Sequence, residues 1–462
     1  MHVAAAMLFA GDAPDYNEFL DYVKQRLDLV PRYRQKLARV PFGQGRPKWV
    51  DDPHLNLRYH VRLTALPPPG SEDQLRTLAG RVFSQQLDRG KPLWEIWLVD
   101  GLEGGRFAML SKTHHALVDG ISGVDIVSVL FDVAREPAVP VASGRPWAPR
   151  PMPSGAQLLA EAWRERASVP SEIVRSVKAS VRAPLWIASR AREALGGIGA
   201  LARAGFDLAP RSPYNQDIGP HRRFTWVRTW LADVKAIKNE LGGTVNDVVL
   251  AIVTGALARH LRRRGEDTFE LELKAMVPVS VRAAEQRGAL GNRVAAMMAP
   301  LPLWCDDPID RLRVISAAME GLKESGQAVG AQVLTELSGF APATILDQAS
   351  RLMARQRFFN LVVTNVPGPQ IPLYVMGREM IDIFPMVPLA HKQALGIALM
   401  SYNGRLNFGL TGDYDLMPDL DHLAGDLHAA LSELADAAGT TVTTPPPVVP
   451  TPEPDVEVAP ET

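Results

Sequence analysis

Residues 107–120 read FAMLSKTHHALVDG. Phe107 to Leu110 is a short apolar run with strand character, and Ser111-Lys112-Thr113-His114-His115 follows it directly as a polar cluster. Asp119-Gly120 closes the stretch, and Ile121 to Val133 then takes up the period of a helix. Strand, polar turn and helix in this order read as an α/β unit carrying its chemistry at the strand end. Three readings of the cluster stand side by side. A neutral imidazole near its working pH can take the proton of a hydroxyl as that hydroxyl attacks a carbonyl. Two histidines and an aspartate can also hold a metal, although neighbouring strand residues point to opposite faces. The third reading is structural, with His114 satisfied by backbone and Asp119 capping the helix from Ile121.

Upstream of this stretch, Trp94 to Val99 is a second strand, joined to the first across the Gly101/Gly104/Gly105 turn. Pro92-Leu93-Trp94 reads as packing at a fixed turn. Ser71 is placed to cap a helix through Leu75, Leu78, Ala79 and Val82. Leu57 to Leu63 reads as a strand, and Arg32, Arg34, Lys36 and Arg39 as a basic helix after Pro31. A helix with Phe19, Tyr22, Val23 and Leu27 on one face starts near Pro14. The opening MHVAAAMLFAGDAP has no basic residue ahead of its short apolar run, so it reads as a buried strand rather than a secretory signal.

Downstream, residues 137–154 are rich in proline and read as a linker. The 155–208 stretch is helical in pattern and basic: Arg164, Arg166, Arg175, Lys178, Arg182, Arg190, Arg192 and Arg203 meet fewer acids, with Trp163, Trp186 and Phe206 as apolar bulk. It is either a connector packed on two domains or a face that meets anionic lipid. A second mixed unit starts near Arg222. It has strands at Phe224 to Trp230, Leu271 to Val279, Ala295 to Leu303, Leu361 to Thr364, Gly396 to Met400 and Leu406 to Thr411. Thr244-Val245-Asn246-Asp247 opens its apolar helix through Leu261. From Gly439 on, Pro, Thr, Val and Glu dominate, and the tail reads as disordered.

The bulk numbers bound the function. A chain of 462 residues suggests two domains. A formal net charge of -1 supplies no field to gather nucleic acid. The single cysteine, Cys305, excludes an intramolecular disulfide, reads as a small buried residue and fits a reducing, cytoplasmic setting. No apolar run reaches the ~18 residues of a spanning helix.

Taken together, these elements resemble the bacterial wax ester synthase/diacylglycerol acyltransferase family, within the CoA-dependent acyltransferases and condensation domains. The family's His-His-x-x-x-Asp-Gly is His114 to Gly120, and its Pro-Leu-Trp-Glu is Pro92 to Glu95. Asn246-Asp247, Pro278 to Arg282, Gly291-Asn292 and Asn365-Val366-Pro367-Gly368-Pro369 follow in family order, so the resemblance runs from Met1 to about Ala437. Relatives carry a segment ahead of Met1-His2-Val3, so the expected alternatives are an upstream start or a shortened member that includes inactive relatives.

The resemblance implies two chloramphenicol-acetyltransferase-like α/β domains, at 1–136 and 216–438. A Pro-rich and basic helical connector (137–215) would join them, and a tail (439–462) would follow. It implies His115 as the catalytic base, with His114 beside it and Asp119 mainly structural. Gly120, Asn246 and Asp247 would support the site, and Asn365 to Pro369 would form a tight loop with Gly368 at positive φ. It implies long-chain acyl-CoA as co-substrate, its phosphates held by local cations from the second domain, with a carrier-bound acyl group as the alternative donor. Diacylglycerol or a fatty alcohol would be the acceptor. No metal or other cofactor is implied, and peripheral contact with a membrane or lipid droplet is.

Overall fold

The computed structural model describes residues 2–118, 129–136, 147–165, 209–280, 294–324 and 358–443. Asp119, Gly120, Gly291, Asn292, Arg282, most of the basic stretch and the tail from residue 444 lie outside them. Two six-stranded sheets carry the fold. The first half supplies β1 (His2–Ala10), β4 (Val61–Ala65), β5 (Trp94–Leu102) and β6 (Arg106–His114) to one sheet. Its hairpin β2 (Gln35–Ala38) and β3 (Lys48–Asp51) stands apart. The second half supplies β7 (Arg222–Trp230), β8 (Glu272–Ser280), β9 (Val294–Pro302), β10 (Leu361–Pro367), β13 (Leu395–Tyr402) and β14 (Arg405–Asp413) to the other.

The opening residues form β1 as expected, at the middle of the first sheet between β6 and β12 (Arg378–Met386). The alternation of a two-faced strand is visible in it. Met7 and Phe9 pack with Phe107 and Met109 on one side, and Ala4, Ala6 and Leu8 pack with Leu110 and Phe384 on the other. Helix α1 (Tyr16–Arg26) is capped by Asp15, whose carboxylate accepts from the backbone of Asn17 and Glu18. The basic helix expected after Pro31 is a 3₁₀ turn followed by β2, and Leu57–His60 is one helical turn (α2) leading into β4. Both departures have one cause: a segment of few residues takes its conformation from what it pairs with, and β2 pairs with β3 while β4 pairs in parallel with β5. Helix α3 (Glu72–Ser84) carries a complete capping box between Ser71 and Gln74.

The expected division into 1–136 and 216–438 is crossed by two strands. β12 and the short β11 (Tyr374–Val375) lie in the second span of sequence, yet they complete the first sheet in the order β11-β12-β1-β6-β5-β4. β12 runs antiparallel to β1, with Ala4 opposite Met386 and Leu8 opposite Asp382. The halves are therefore interlocked by backbone hydrogen bonds. β14 also approaches β12 so closely that a Cβ on Gly409 would stand 1.8 Å from the Pro385 carbonyl oxygen, which requires glycine there.

In the second half, α7 (Val245–Arg263) is buried along almost its whole length and packs beside α9 (Leu420–Ala437), with α6 (Leu231–Leu241) and α8 (Pro308–Glu324) alongside. Helical turns at residues 155–165 (α5) pack Leu158 and Ala162 on Ala38, Val40 and Val50 of the hairpin. No single helix among the described residues is long and apolar enough to cross a membrane. Cys305 is buried, as expected.

One ion cluster spans the seam. Arg228 of β7 donates to both carboxylate oxygens of Glu72 (2.8 and 2.9 Å) and to Asp382 of β12 (2.8 Å), and Arg405 and Asn407 of β14 reach the same Asp382. Burial alone would raise Glu72, but the hydrogen bonds and charge of Arg228, and then of Arg106, hold it down at about 2. A carboxylate depressed in the folded state stabilises fully above its ordinary value and loses that contribution as pH falls through the folded value. Glu72→Gln should therefore cost about 2–3 kcal/mol at neutral pH. The gap in thermal midpoint between variant and parent should close as pH falls from about 5 towards 2. Thermal unfolding followed across that range checks both statements, and a gap that persists unchanged to the acid end contradicts them.

Candidate active site

β6 carries the histidines to the seam. Its last residue, His114, is opposite His2 of β1, and Lys112 is opposite Ala4, so His2, His114 and Lys112 share one face of the sheet. The C-terminal end of α3 rests on that face. The last carbonyls of a helix have no partner within it. Here Lys112 Nζ donates to the Val82 (3.0 Å) and Gln85 (3.1 Å) carbonyls, and His2 Nε2 donates to the Phe83 carbonyl (2.6 Å). A cation at a helix C-terminus is favoured by the helix dipole. Lys112 is completely buried and pairs with Glu95 (3.2 Å), which also receives Arg62. Burial lowers the Lys112 ammonium, and the Glu95 charge opposes that shift.

The Pro92-Leu93-Trp94-Glu95 element fixes the strand end from the other side. The His114 amide donates to the Leu93 carbonyl (2.9 Å). Trp94 is fully buried, donates its indole N–H to the Tyr33 carbonyl (2.8 Å) and stacks on His60 at 4.7 Å. Buried aromatics of this kind are major core elements, and the packing role expected for the turn holds.

The two histidines diverge at this point. His114 ends the strand, and its Nδ1 accepts the Ala116 amide (3.2 Å) at the start of the single turn α4 (His115–Val118). An Nδ1 that accepts places the proton of the neutral ring on Nε2. Burial first, and then surrounding positive charge that includes Arg89, lowers His114 below the ordinary histidine range. Burial also takes His2 down to about 4. His115 leaves the ladder and is exposed. Asp119 and Gly120 lie outside the described residues, as noted. Among the described residues no group of three His, Cys, Asp or Glu side chains is placed to hold a metal ion.

Beside His114 a cleft of about 520 Å³ opens between the halves. His2, Arg89, His114 and, from β12 beside β1, Met386 line it on the side of the first sheet, and Arg222 and Leu389 line it from the second half. Among the described residues, His114 rather than His115 faces this cleft. Sequence reasoning missed His2, Arg89 and Arg222; the pairing of β1 with β6, which brings His2 to the cleft, is not a local property of the sequence.

The second-half elements converge on one another. Thr244 and Asp247 form a capping box at the start of α7: the Thr244 amide donates to the Asp247 carboxylate (2.8 Å) and the Asp247 amide to the Thr244 hydroxyl (3.3 Å). Asp247 is thus committed to the helix end, with its second carboxylate oxygen buried and unpartnered. Asn246 accepts from Asn365 Nδ2 (2.7 Å), which joins the Asn-Asp element to the Asn-Val-Pro-Gly-Pro element. That last element is not the tight loop expected. β10 continues through Pro367, and Gly368 is not at positive φ. Glycine is needed for space, since a Cβ there would stand 2.2 Å from the Ser401 carbonyl oxygen.

Two interlocked mixed sheets with a histidine at a strand end beside their seam make a two-sheet α/β fold that solved structures share. The first condensation domain of the CDA synthetase shares this fold at a TM-score of 0.54 and 16% identity, covering 96% of this chain and 94% of that one. The wax ester synthase/diacylglycerol acyltransferase of Marinobacter aquaeolei VT8 superposes at a TM-score of 0.65 with 28% identity, over 95% of each chain. Residues 1–249 match the wax ester synthase/diacylglycerol acyltransferase catalytic domain, and residues 290–435 match the C-terminal domain of the same family. Of the Mycobacterium tuberculosis H37Rv proteins named as probable diacylglycerol O-acyltransferases, tgs1 is 33% identical over 94% of this chain and 90% of its own length, and tgs2 is 35% identical over 95% of each. The chain belongs to the wax ester synthase/diacylglycerol acyltransferase family and is an acyltransferase.

The Lys112–Glu95 pair is the buried support beneath the strand end. Lys112→Ala should cost about 3–4 kcal/mol, because Glu95 and two helix-end carbonyls lose a partner at once. Lys112→Met combined with Glu95→Gln should cost less than Lys112→Ala alone. Urea denaturation of the three proteins gives the comparison, and equal stability of Lys112→Ala and the parent would contradict it.

Proposed function

We propose that this acyltransferase moves a long-chain acyl group from acyl-CoA to the hydroxyl of diacylglycerol, forming triacylglycerol, or of a fatty alcohol, forming a wax ester, with His115 as general base. The observation that carries the reading is the strand end at the seam, where His114 is committed to backbone while the next ring is exposed. The imidazole of His115 takes the acceptor's hydroxyl proton as its oxygen bonds to the thioester carbonyl carbon. The resulting tetrahedral species expels the CoA thiolate, which recovers a proton from the imidazolium. The donor brings its own leaving group, so no covalent enzyme intermediate is required. Asn246 and Asp247 act as bracing, a role in keeping with their capping and Asn365 contacts. Asp119 and Gly120 are assigned to support of the site. The relatives named for diacylglycerol favour that acceptor.

The reading includes peripheral contact with an anionic lipid surface, where both acceptors reside. Phe42 is 87% exposed at the tip of the β2–β3 hairpin and Trp163 is 63% exposed on the adjoining α5, with the basic side chains of Arg39, Arg46 and Arg164 close by in sequence. An amphipathic surface of aromatics and cations suits a headgroup boundary.

Purified protein incubated with labelled palmitoyl-CoA and a panel of alcohols should yield triacylglycerol or wax ester. His115→Ala should lower ester formation roughly 100- to 10,000-fold with an unchanged thermal midpoint. Because His114 faces the cleft, His114→Ala is the counter-test: full loss there with activity retained in His115→Ala would move the base to His114. Phe42→Ser with Trp163→Ser should reduce sedimentation with phosphatidylglycerol vesicles several-fold. Unchanged sedimentation would remove this surface from the membrane reading.

A further inference from the structure

The cleft beside His114 contains a cation that the fold leaves unused. Arg222, on the second-half wall, is spent internally: its Nη1 donates to the Gly219 and His221 carbonyls (2.7 Å each) and lies 3.4 Å from Asp413. Arg89, on the opposite wall, is exposed and makes no hydrogen bond or ion pair among the described residues. Its neighbour Asp88 does not neutralise it in that way. The Asp88 carboxylate accepts the Gly90 amide (2.8 Å) and its carbonyl accepts the Lys91 amide (3.2 Å), a turn that presents Arg89. No acidic side chain lines the cleft among the described residues, and much of the remaining lining is apolar, with Phe83, Leu87, Met386 and Leu389. Such a cleft suits a ligand with an anionic head and a greasy body. An arginine fork matches phosphate oxygens two at a time, and desolvation by apolar walls strengthens the contact.

We propose that Arg89 is a donor-specificity residue, its guanidinium binding a phosphate of the phosphopantetheine-type arm that carries the acyl thioester. The inference rests on acyl transfer from a phosphorylated thioester, and it makes the cleft mouth between the halves the donor's entrance. It assigns the anion contact to the first half, where the cations for this task were expected in the second. Two donors share this chemistry, free CoA and the prosthetic arm of a carrier protein, and the phosphate nearest the arm is common to both.

Isothermal titration of the full chain with CoA, pantetheine 4′-phosphate and phosphate-free pantetheine tests the contact. Arg89→Ala should weaken CoA binding roughly 10- to 100-fold, with Arg89→Lys recovering part of the loss and pantetheine binding the parent and variants alike. Loss for pantetheine 4′-phosphate equal to that for CoA places the contact on the phosphate shared by CoA and carrier proteins. Loss for CoA alone places it on the nucleotide end and restricts the donor to CoA. In turnover, the parent's preference for palmitoyl-CoA over the palmitoyl N-acetylcysteamine thioester should fall by the same factor in Arg89→Ala. Unchanged CoA binding, or an equal loss for pantetheine, overturns the proposal. If the parent forms no ester while Arg89→Ala still loses CoA, the anion site stands and the acyl-transfer reading fails. If ester forms and the donor preference is unmoved, the site alone fails.

Discussion

Asp382 sits buried on a strand that belongs to the second half by sequence and to the first sheet by hydrogen bonding. It receives Arg228 and Arg405 from strands of the other sheet, and Arg228 in turn grips Glu72 at the start of α3. A buried carboxylate without such partners would be expensive, so this cluster restricts how the sheets can meet. β12 adds backbone pairing with β1 to the same seam. A cleft between two domains would ordinarily change shape whenever the domains moved. Here a strand exchanged from one half into the other restrains that motion, and the walls of the cleft inherit the rigidity.

That rigidity reaches the strand end through short links. β1 lies between β12 and β6, so the strand that locks the seam also sets the register of His2 against His114. α3 meets the ion cluster at its first turn, through Glu72, and meets Lys112 and His2 at its last. One helix thus connects the seam's charges to the floor of the site. The Pro92–Trp94 turn supplies the remaining constraint through the Leu93 carbonyl and a fully buried indole. Each of these contacts is either a backbone polar group that must be satisfied or a large apolar group that must be covered, and both kinds tolerate little displacement.

The parts of this arrangement that were legible in the sequence are those with local causes. Short apolar runs marked β1, β5 and β6, and side chains able to cap a helix marked the starts of α3 and α7. The motif order located His114, His115, Asn246 and Asp247 before any contact was known. What escaped has non-local causes. β12 was passed over because Arg378, Glu379 and Asp382 interrupt its pattern, and those residues are polar because Arg378 donates to the Asp12 carbonyl, Glu379 lies 4.0 Å from Arg135, and Asp382 receives Arg228 and Arg405. The basic run after Pro31 has helical spacing yet forms a hairpin strand, where Lys36 pairs with Asp52 and Gln35 with Asp51. Gly368 looked like a turn glycine, and its reason is a carbonyl supplied by β13. The role of Arg89 was hidden because an exposed arginine beside an aspartate in a Gly-containing turn reads as ordinary surface.

Two adjacent histidines look interchangeable in the sequence, and the structure separates them by a change of backbone. His114 is the last strand residue, so its amide completes the ladder while its ring turns to the helix start that follows. His115 is the first residue beyond the ladder, where the chain has begun to coil. Burial, and then neighbouring positive charge, lowers the His114 imidazole below the ordinary histidine range, which suits a ring that accepts a backbone proton. A base must cycle between neutral and charged forms, and it does so with less penalty where burial is smaller. The same burial that makes His114 a good structural element sets it apart from the exposed ring that follows it, and the proposed assignment of the proton transfer to His115 rests on that difference of position.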